Sequence, residues 1–324
     1  MLINRRAFLK TSGAMTGVAT LPALAQSYPS RPVTIVVPFP AGGGTDATIR
    51  ILAEGFQKQT GRSMLVENRP GGGTLIALNY LAQQKPDGYT LGVMTRAQFA
   101  TYWVANASNA VHPLNDITFI AATHGSIFGL LVRADGPHKT LADVVAAAKA
   151  NPGKLSVGNI GIGTTHHLTA LEFAREAGIE LNHIPYKGEA ESTASLIGGH
   201  IDLAVSSGTF IPHVESGRLR VLALALPARL SKYPQWPTFT EQGFPVQMET
   251  SVGIGGPKGM DPSVVRYLAD ALRRITQAPE VVAGLERLYQ PVQYIDTDTY
   301  NRSVQQRYQL ERELVERYNL RQKT

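Results

Sequence analysis

From residue 28 onward, short apolar runs alternate with stretches whose apolar residues recur at helical spacing. Residues 33–37 form a β-rich run. Residues 45–59 follow with Ile49, Leu52 and Phe56 on one helical face, and Gly61 stops them. Runs at 64–66 and 89–94, with Leu75, Leu78 and Ala82 marking a helix between them, complete a β-α-β-α-β rhythm. Two apolar runs lie between 117 and 132 with no clear helix separating them. Thr140-Leu-Ala-Asp143 then opens a helix through residue 150 as a capping box. The rhythm resumes with strands at 155–158, 181–185 and 201–205, separated by helices at 164–177 and 189–197. A short helix at 210–216 and a strand at 219–226 come next, and 227–245 is proline-rich and irregular. Helices at 262–276 and 280–288, a strand at 292–295 and a long helix at 298–318 finish the chain. On that last helix the spacing of Tyr300, Val304, Tyr308, Val315 and Tyr318 marks a packed face.

This pattern predicts α/β architecture: two lobes, each a mostly parallel sheet flanked by helices, with a cleft between them. The two βαβαβ units, near 31–94 and 155–205, assign 26–122 plus 226–324 to lobe 1 and 123–225 to lobe 2. The chain crosses between lobes near 121–126 and 224–250.

The N-terminus reads differently. Arg5-Arg6-Ala7-Phe8-Leu9-Lys10 is a twin-arginine pattern, an uncharged small-residue stretch follows, and Ala23-Leu24-Ala25 is a cleavage signal. The stretch is shorter than the ~20 apolar residues that span a bilayer. Residues 1–25 are therefore expected to be a twin-arginine signal peptide, and the remaining 299 residues to be soluble in the periplasm and not membrane-spanning. That leader holds Arg5, Arg6 and Lys10, so the formal charge drops from +6 to +3 without it. No dense Lys/Arg cluster survives, which argues against nucleic acid. The chain has no cysteine, which removes disulfides and thiol catalysis.

Two glycine turns carry the candidate chemistry. Phe39-Pro40-Ala41-Gly42-Gly43-Gly44-Thr45-Asp46 links the first strand to the first helix. Gly161-Ile162-Gly163-Thr164-Thr165-His166 does the same in the second unit. A helix start offers unpaired N–H groups and about half a positive charge, so each turn is a candidate anion site. Both would sit at carboxyl ends of strands, where ligands bind in open α/β sheets. If the lobes face each other, the two helix starts converge on one carboxylate, or on a molecule with one at each end. A rival pattern overlaps the first turn: Gly42, Gly44, Ala47 and then Glu67 fit a dinucleotide fingerprint, although Pro38-Phe39-Pro40 puts a rigid bend where that fingerprint wants a tight turn.

No H-E-x-x-H, G-x-S-x-G or S-x-x-K pattern occurs, and His166 and His167 point about 100° apart on a helix. No enzyme, metal or cofactor is expected. Ser206 and Ser207, at a strand end, are candidate ligand contacts.

The ordered motifs resemble the Bug-type receptors, the extracytoplasmic solute-binding proteins of tripartite tricarboxylate transporters. They run from Tyr28-Pro-Ser-Arg-Pro through Val66-Glu-Asn-Arg-Pro-Gly-Gly72, Lys85-Pro-Asp-Gly-Tyr-Thr90 and Ala150-Asn-Pro-Gly-Lys154. Gly161-x-Gly-Thr-Thr-x-His-Leu168, Pro185-Tyr-Lys-Gly188 and Gly198-Gly-His-Ile-Asp202 follow. The resemblance implies a hinged periplasmic-binding fold and a small organic carboxylate held by the 39–46 and 161–166 loops. It also implies pocket walls from Thr95, Tyr186, Lys187, Ser206 and Ser207, and a two-subunit membrane permease as partner. Alternatives are an exported dinucleotide-dependent oxidoreductase and a ligand sensor for a membrane signalling protein. Three departures bear on specificity. Arg96 stands where the family usually has a small residue, Ser206 where it often has aspartate, and His166 where it often has a small hydroxyl residue. Arg96 is expected to reach a ligand carboxylate as a bidentate donor.

Overall fold

The computed structural model describes residues 28–104, 111–248 and 251–321, so the expected leader at 1–25 lies outside the described residues. β1 (Val33–Val37), α1 (Gly44–Thr60), β2 (Met64–Asn68), α2 (Leu75–Ala82) and β3 (Thr90–Met94) form the first βαβαβ unit. α3 (Arg96–Val104), β4 (Ile117–His124), β5 (Gly129–Arg133) and α4 (Leu141–Ala150) lead to the second. That unit comprises β6 (Ser156–Asn159), α5 (Thr165–Ala177), β7 (Asn182–Pro185), α6 (Glu189–Ile197) and β8 (Leu203–Ser206). Then come α7 (Ile211–Glu215), β9 (Leu219–Leu224), β10 (Val252–Pro257), α8 (Pro262–Gln277), α9 (Pro279–Arg287), β11 (Val292–Ile295) and α10 (Thr297–Arg317).

The strands make two sheets, in the orders β11-β4-β10-β3-β1-β2 and β7-β6-β8-β5-β9. The βαβαβ halves are parallel as their crossover helices require. The strands added to them pair antiparallel: β10 with β3 and β4, β11 with β4, and β5 with β8 and β9. Each sheet is therefore mixed. The chain changes sheet twice, between β4 and β5 and between β9 and β10.

Two elements gave no signal in the pattern. α3 is buried nearly all round, at Arg96, Ala97, Gln98, Phe99, Ala100, Thr101 and Val104, so it has no polar face to set a 3.6-residue period. β10 reads Val-Gly-Ile-Gly-Gly-Pro, and glycine and proline are depleted in strands; it is nonetheless buried throughout in the middle of the first sheet.

In the first lobe, Ile49, Leu52 and Phe56 of α1 share a core with Leu268, Leu272 and Ile275 of α8. In the second, Leu168 and Phe173 of α5 pack with Val157, Leu203 and Val205 of the sheet. Residues 226–248, read from the sequence with the first lobe, pack on the second instead. The Phe239 ring meets Phe173 at 5.3 Å, Val246 and Met248 are buried there, and Leu224 N donates to Pro237 O at 2.8 Å. α10 bridges both lobes. Tyr300, Val304 and Tyr308 join the core around Phe99 and Phe119, whereas Leu314 and Tyr318 reach the core around α5.

The capping box at α4 is formed as its sequence predicts: Asp143 N donates to Thr140 Oγ1 at 3.1 Å, and Thr140 N donates to Asp143 Oδ2 at 2.9 Å. Thr140→Ala should cost about 1 kcal/mol of stability. Denaturant midpoints of the two proteins measure this, and an unchanged midpoint would show that the cap contributes nothing.

Candidate ligand cleft

The carboxyl ends of both sheets open onto one cavity of about 90 Å³, lined from the first lobe by residues 39–41 and 43–45, Thr95, Arg96, Ser251 and Val252, and from the second by Ser126, Phe128, Ile160, 164–166, 188–190 and Ser207. A small organic acid suits a cavity of this kind. Glu67, the acid of the fingerprint alternative, bonds Arg69 at 2.6 Å and does not line the cavity.

Three helices begin at this cavity. α1 starts after Gly43, α5 after Thr164 and α6 after Gly188. Their first-turn N–H groups have no carbonyl of their own helix to bond, and their dipoles add a positive potential at one place. The third was not foreseen as a ligand device, because Gly188-Glu189 reads locally as an ordinary helix start with an acid in its first turn.

Of the residues singled out from the sequence, Phe39, Ala41, Gly43, Thr45, Thr95, Arg96, Thr164, Thr165, His166 and Ser207 line the cavity. Gly42 and Asp46 are not in the lining. Gly42 N donates to Asp46 Oδ2 at 2.9 Å, and the same carboxylate accepts from Arg50 Nε at 3.0 Å and Asn68 Nδ2 at 2.9 Å. Asn68 also donates to Phe39 O at 3.0 Å, so the end of β2 clamps the first turn. Although burial pushes the Asp46 carboxyl upward, these donors hold it below its usual range. Gly163 abuts α3. Tyr186 is tied to Ser195 Oγ at 2.5 Å, Lys187 is exposed, and Ser206 Oγ bonds Ser207 O at 3.3 Å.

Arg96 is 5 % exposed. Its Nε is paired with Glu311 on α10, and its Nη1 lies 2.8 Å from Met248 Sδ. Burial pushes the Glu311 carboxyl up, opposed by the Arg96 guanidinium. The partner lies 215 positions along the chain, and no local pattern could announce it.

The residue that sequence reasoning missed is Glu189. Its Oε1 accepts from His166 Nε2 at 2.6 Å and from Ser207 N at 2.7 Å. Its Oε2 accepts from Ser207 Oγ and Thr209 Oγ1, each at 2.9 Å. Burial alone would raise this carboxyl, but the hydrogen bond from His166 and the Ser207 donors hold it down at about 2. It is a saturated carboxylate in the wall of the cavity. Among the described lining residues, Arg96, His166 and Glu189 are the charged or titratable ones.

Two α/β lobes with helix starts gathered at a cavity between them define a periplasmic-binding-protein fold. The structure aligns with that of the periplasmic binding protein BugD at a TM-score of 0.85 and 28% identity, covering 91% of this chain and 100% of the other. MatC (Rpa3494) from Rhodopseudomonas palustris with bound malate aligns at 0.82 and 26% identity, covering 89% and 100%. R. palustris Rpa4515 with adipate aligns at 0.84 and 27%, covering 89% and 97%. The family model of the tripartite tricarboxylate transporter family receptor (TctC) matches residues 48–320. A relative from Cupriavidus necator, the UPF0065 protein in the gbd 5′ region, is 34% identical over 98% of this chain and 99% of its own length. The chain belongs to the tripartite tricarboxylate transporter receptor family. Among the described residues no helix is long and apolar enough to cross a membrane.

Proposed function

We propose that this chain is a periplasmic receptor that binds a small organic carboxylate reversibly, without making or breaking a bond, and delivers it to a two-subunit membrane permease. The observation that carries this reading is the convergence of three helix starts on one small cavity between the lobes, with Arg96 among its lining residues. Two solved structures that it resembles hold malate and adipate, which agrees with an acidic ligand. Backbone donors at the helix starts grip one carboxylate. Thr45, Thr95, Thr164, Thr165 and Ser207 offer hydroxyls around it, and Phe39 and Phe128 exclude water. Arg96, its Nε held by Glu311 and its Nη1 by Met248, would reach the ligand through Nη2. The twin-arginine leader would bring the folded chain to the periplasm.

A thermal-shift screen against mono-, di- and tricarboxylates tests the reading. A binding acid raises the midpoint in proportion to the logarithm of its concentration above Kd. No shift with any acid at millimolar concentration would refute carboxylate capture. Arg96→Ala should weaken the best acid about tenfold, the lower end for a charge-assisted hydrogen bond. Calorimetric titration reads this, and unaltered affinity would remove Arg96 from the contact set.

A further inference from the structure

His166 offers one group that nothing in the cleft uses. It is 5 % exposed, it is one of the residues lining the cavity, and its ring sits edge-on to Phe128 at 4.9 Å. Nε2 is committed to Glu189, but Nδ1 is buried and has no hydrogen-bond partner among the described residues. An unpaired buried ring nitrogen is costly, and such an atom at a binding cavity calls for a partner that arrives from outside.

Glu189 decides what that partner is. With both its oxygens occupied by four donors, it has little acceptor capacity left for a ligand. Its influence must pass through His166. Facing a carboxylate oxygen, Nε2 has to carry a proton, which fixes the tautomer of the neutral ring. A second proton can then enter only at Nδ1. The other charged group of the cavity, Arg96 on α3, comes from the opposite lobe; on α5 itself His167 turns away to His183, ring to ring at 4.8 Å.

We propose that Glu189 is a positioning residue that holds His166 by Nε2, so that ligand capture takes one proton from solvent onto Nδ1, which then donates to an anionic oxygen of the ligand. This rests on the carboxylate reading above and adds to it a proton that enters with the ligand. Linkage then requires affinity to fall with rising pH, by about tenfold per pH unit at the limit of one proton. Acidic conditions favour loading and alkaline conditions release.

Two measurements on the full chain separate this proposal from its foundation. The first uses no ligand: ¹⁵N spectra of the imidazoles, with His166 assigned from His166→Gln. They should show Nε2 protonated throughout pH 6–8 in the wild type and mixed tautomers in Glu189→Gln. Mixed tautomers in the wild type would overturn the dyad. The second titrates malate and adipate calorimetrically across pH 6–8.5, in buffers of different ionisation heat. One proton taken up per ligand, and a pH-independent affinity in His166→Gln, are expected. Binding without proton uptake overturns the proposal while leaving carboxylate capture intact. If neither acid nor any carboxylate of the thermal screen binds at pH 6, capture itself fails, and the His166 contact fails with it.

Discussion

Between pH 7 and pH 5 the unfolding free energy of this protein should fall by about 4 kcal/mol, because two histidines are folded in their neutral form. His124, at the end of β4, is buried and bonded to Thr123 Oγ1 at 2.9 Å; burial pushes its pKa down to about 3. His167 is brought to about 4 by burial and by the neighbouring His183. Its Nδ1 accepts from Gly163 N at 3.2 Å, a bond that requires the ring to be unprotonated there. Both folded values lie below the unfolded 6.5, so the stabilisation is present in full above pH 6.5. It is lost as pH falls toward 4 and 3, since only the unfolded chain binds the protons. Each group contributes about 1.4 kcal/mol per pH unit within that window. His183 and His213 are shifted the same way by burial and steepen the slope. Glu189 acts in a different range. Its depressed carboxyl keeps its contribution down to its ordinary value of 4.5 and loses it as pH approaches 2. Urea titrations at pH 7, 6 and 5 measure the slope, and the double variant His124→Asn/His167→Asn should flatten most of it. Parallel curves for the two proteins would mean that the buried rings are not the source.

The reach of the sequence follows from how local each signal is. The helix starts and the capping box at Thr140 are fixed by a few neighbouring residues, and the parallel halves by period and turn chemistry, so all were legible. The glycine turns were legible as anion devices for the same reason. Which of their residues face the cavity was not. Asp46 and Glu189 are both acids in the first turn of a helix behind glycine. One is used to clamp its own turn through Gly42 and Asn68, and the other holds His166 across the second lobe. The difference is made by Asn68 and His166, 22 and 23 positions away. Arg96 shows the same limit. Its departure from the family pattern marked it as special, yet its pairing with Glu311 depends on a C-terminal helix folding back over the first lobe. β10 and α3 escaped because neither has an apolar–polar alternation, being covered on every side.

Gly44→Val should lower carboxylate affinity about a hundredfold while leaving the stability of the unliganded protein nearly unchanged. Gly44 opens α1 in the first lobe, and a Cβ there would lie 3.0 Å from Thr209 Cγ2 and 3.3 Å from Ser207 Oγ, both in the second lobe. The opposite side of the cleft is as tight: a Cβ on Gly163 would lie 2.8 Å from Val104 Cγ2 of α3. The lobes therefore meet backbone to side chain at these two points, and the gripping N–H groups reach the cavity only in this apposed form. A receptor that closes about a hinge can open to relieve the overlap, so the strain falls on the closed state alone. Overpacking of this kind costs about 1–3 kcal/mol. Valine, whose two methyls extend beyond an already close Cβ, takes the upper end, and that corresponds to about a hundredfold in Kd. Gly163 is the poorer test because its φ of +78° would strain any side chain locally, whether the lobes are open or closed. Calorimetry gives the affinity, and small-angle scattering of Gly44→Val, with acid at a concentration that just saturates the wild type, should retain the radius of the unliganded protein. Gly44→Ala should lose only about tenfold. Thr209→Ser, which removes Cγ2 and keeps the hydroxyl on Glu189, should restore most of that loss in the double variant. Wild-type affinity in Gly44→Val would mean that the apposition of Gly44 and Thr209 has no part in gripping the ligand.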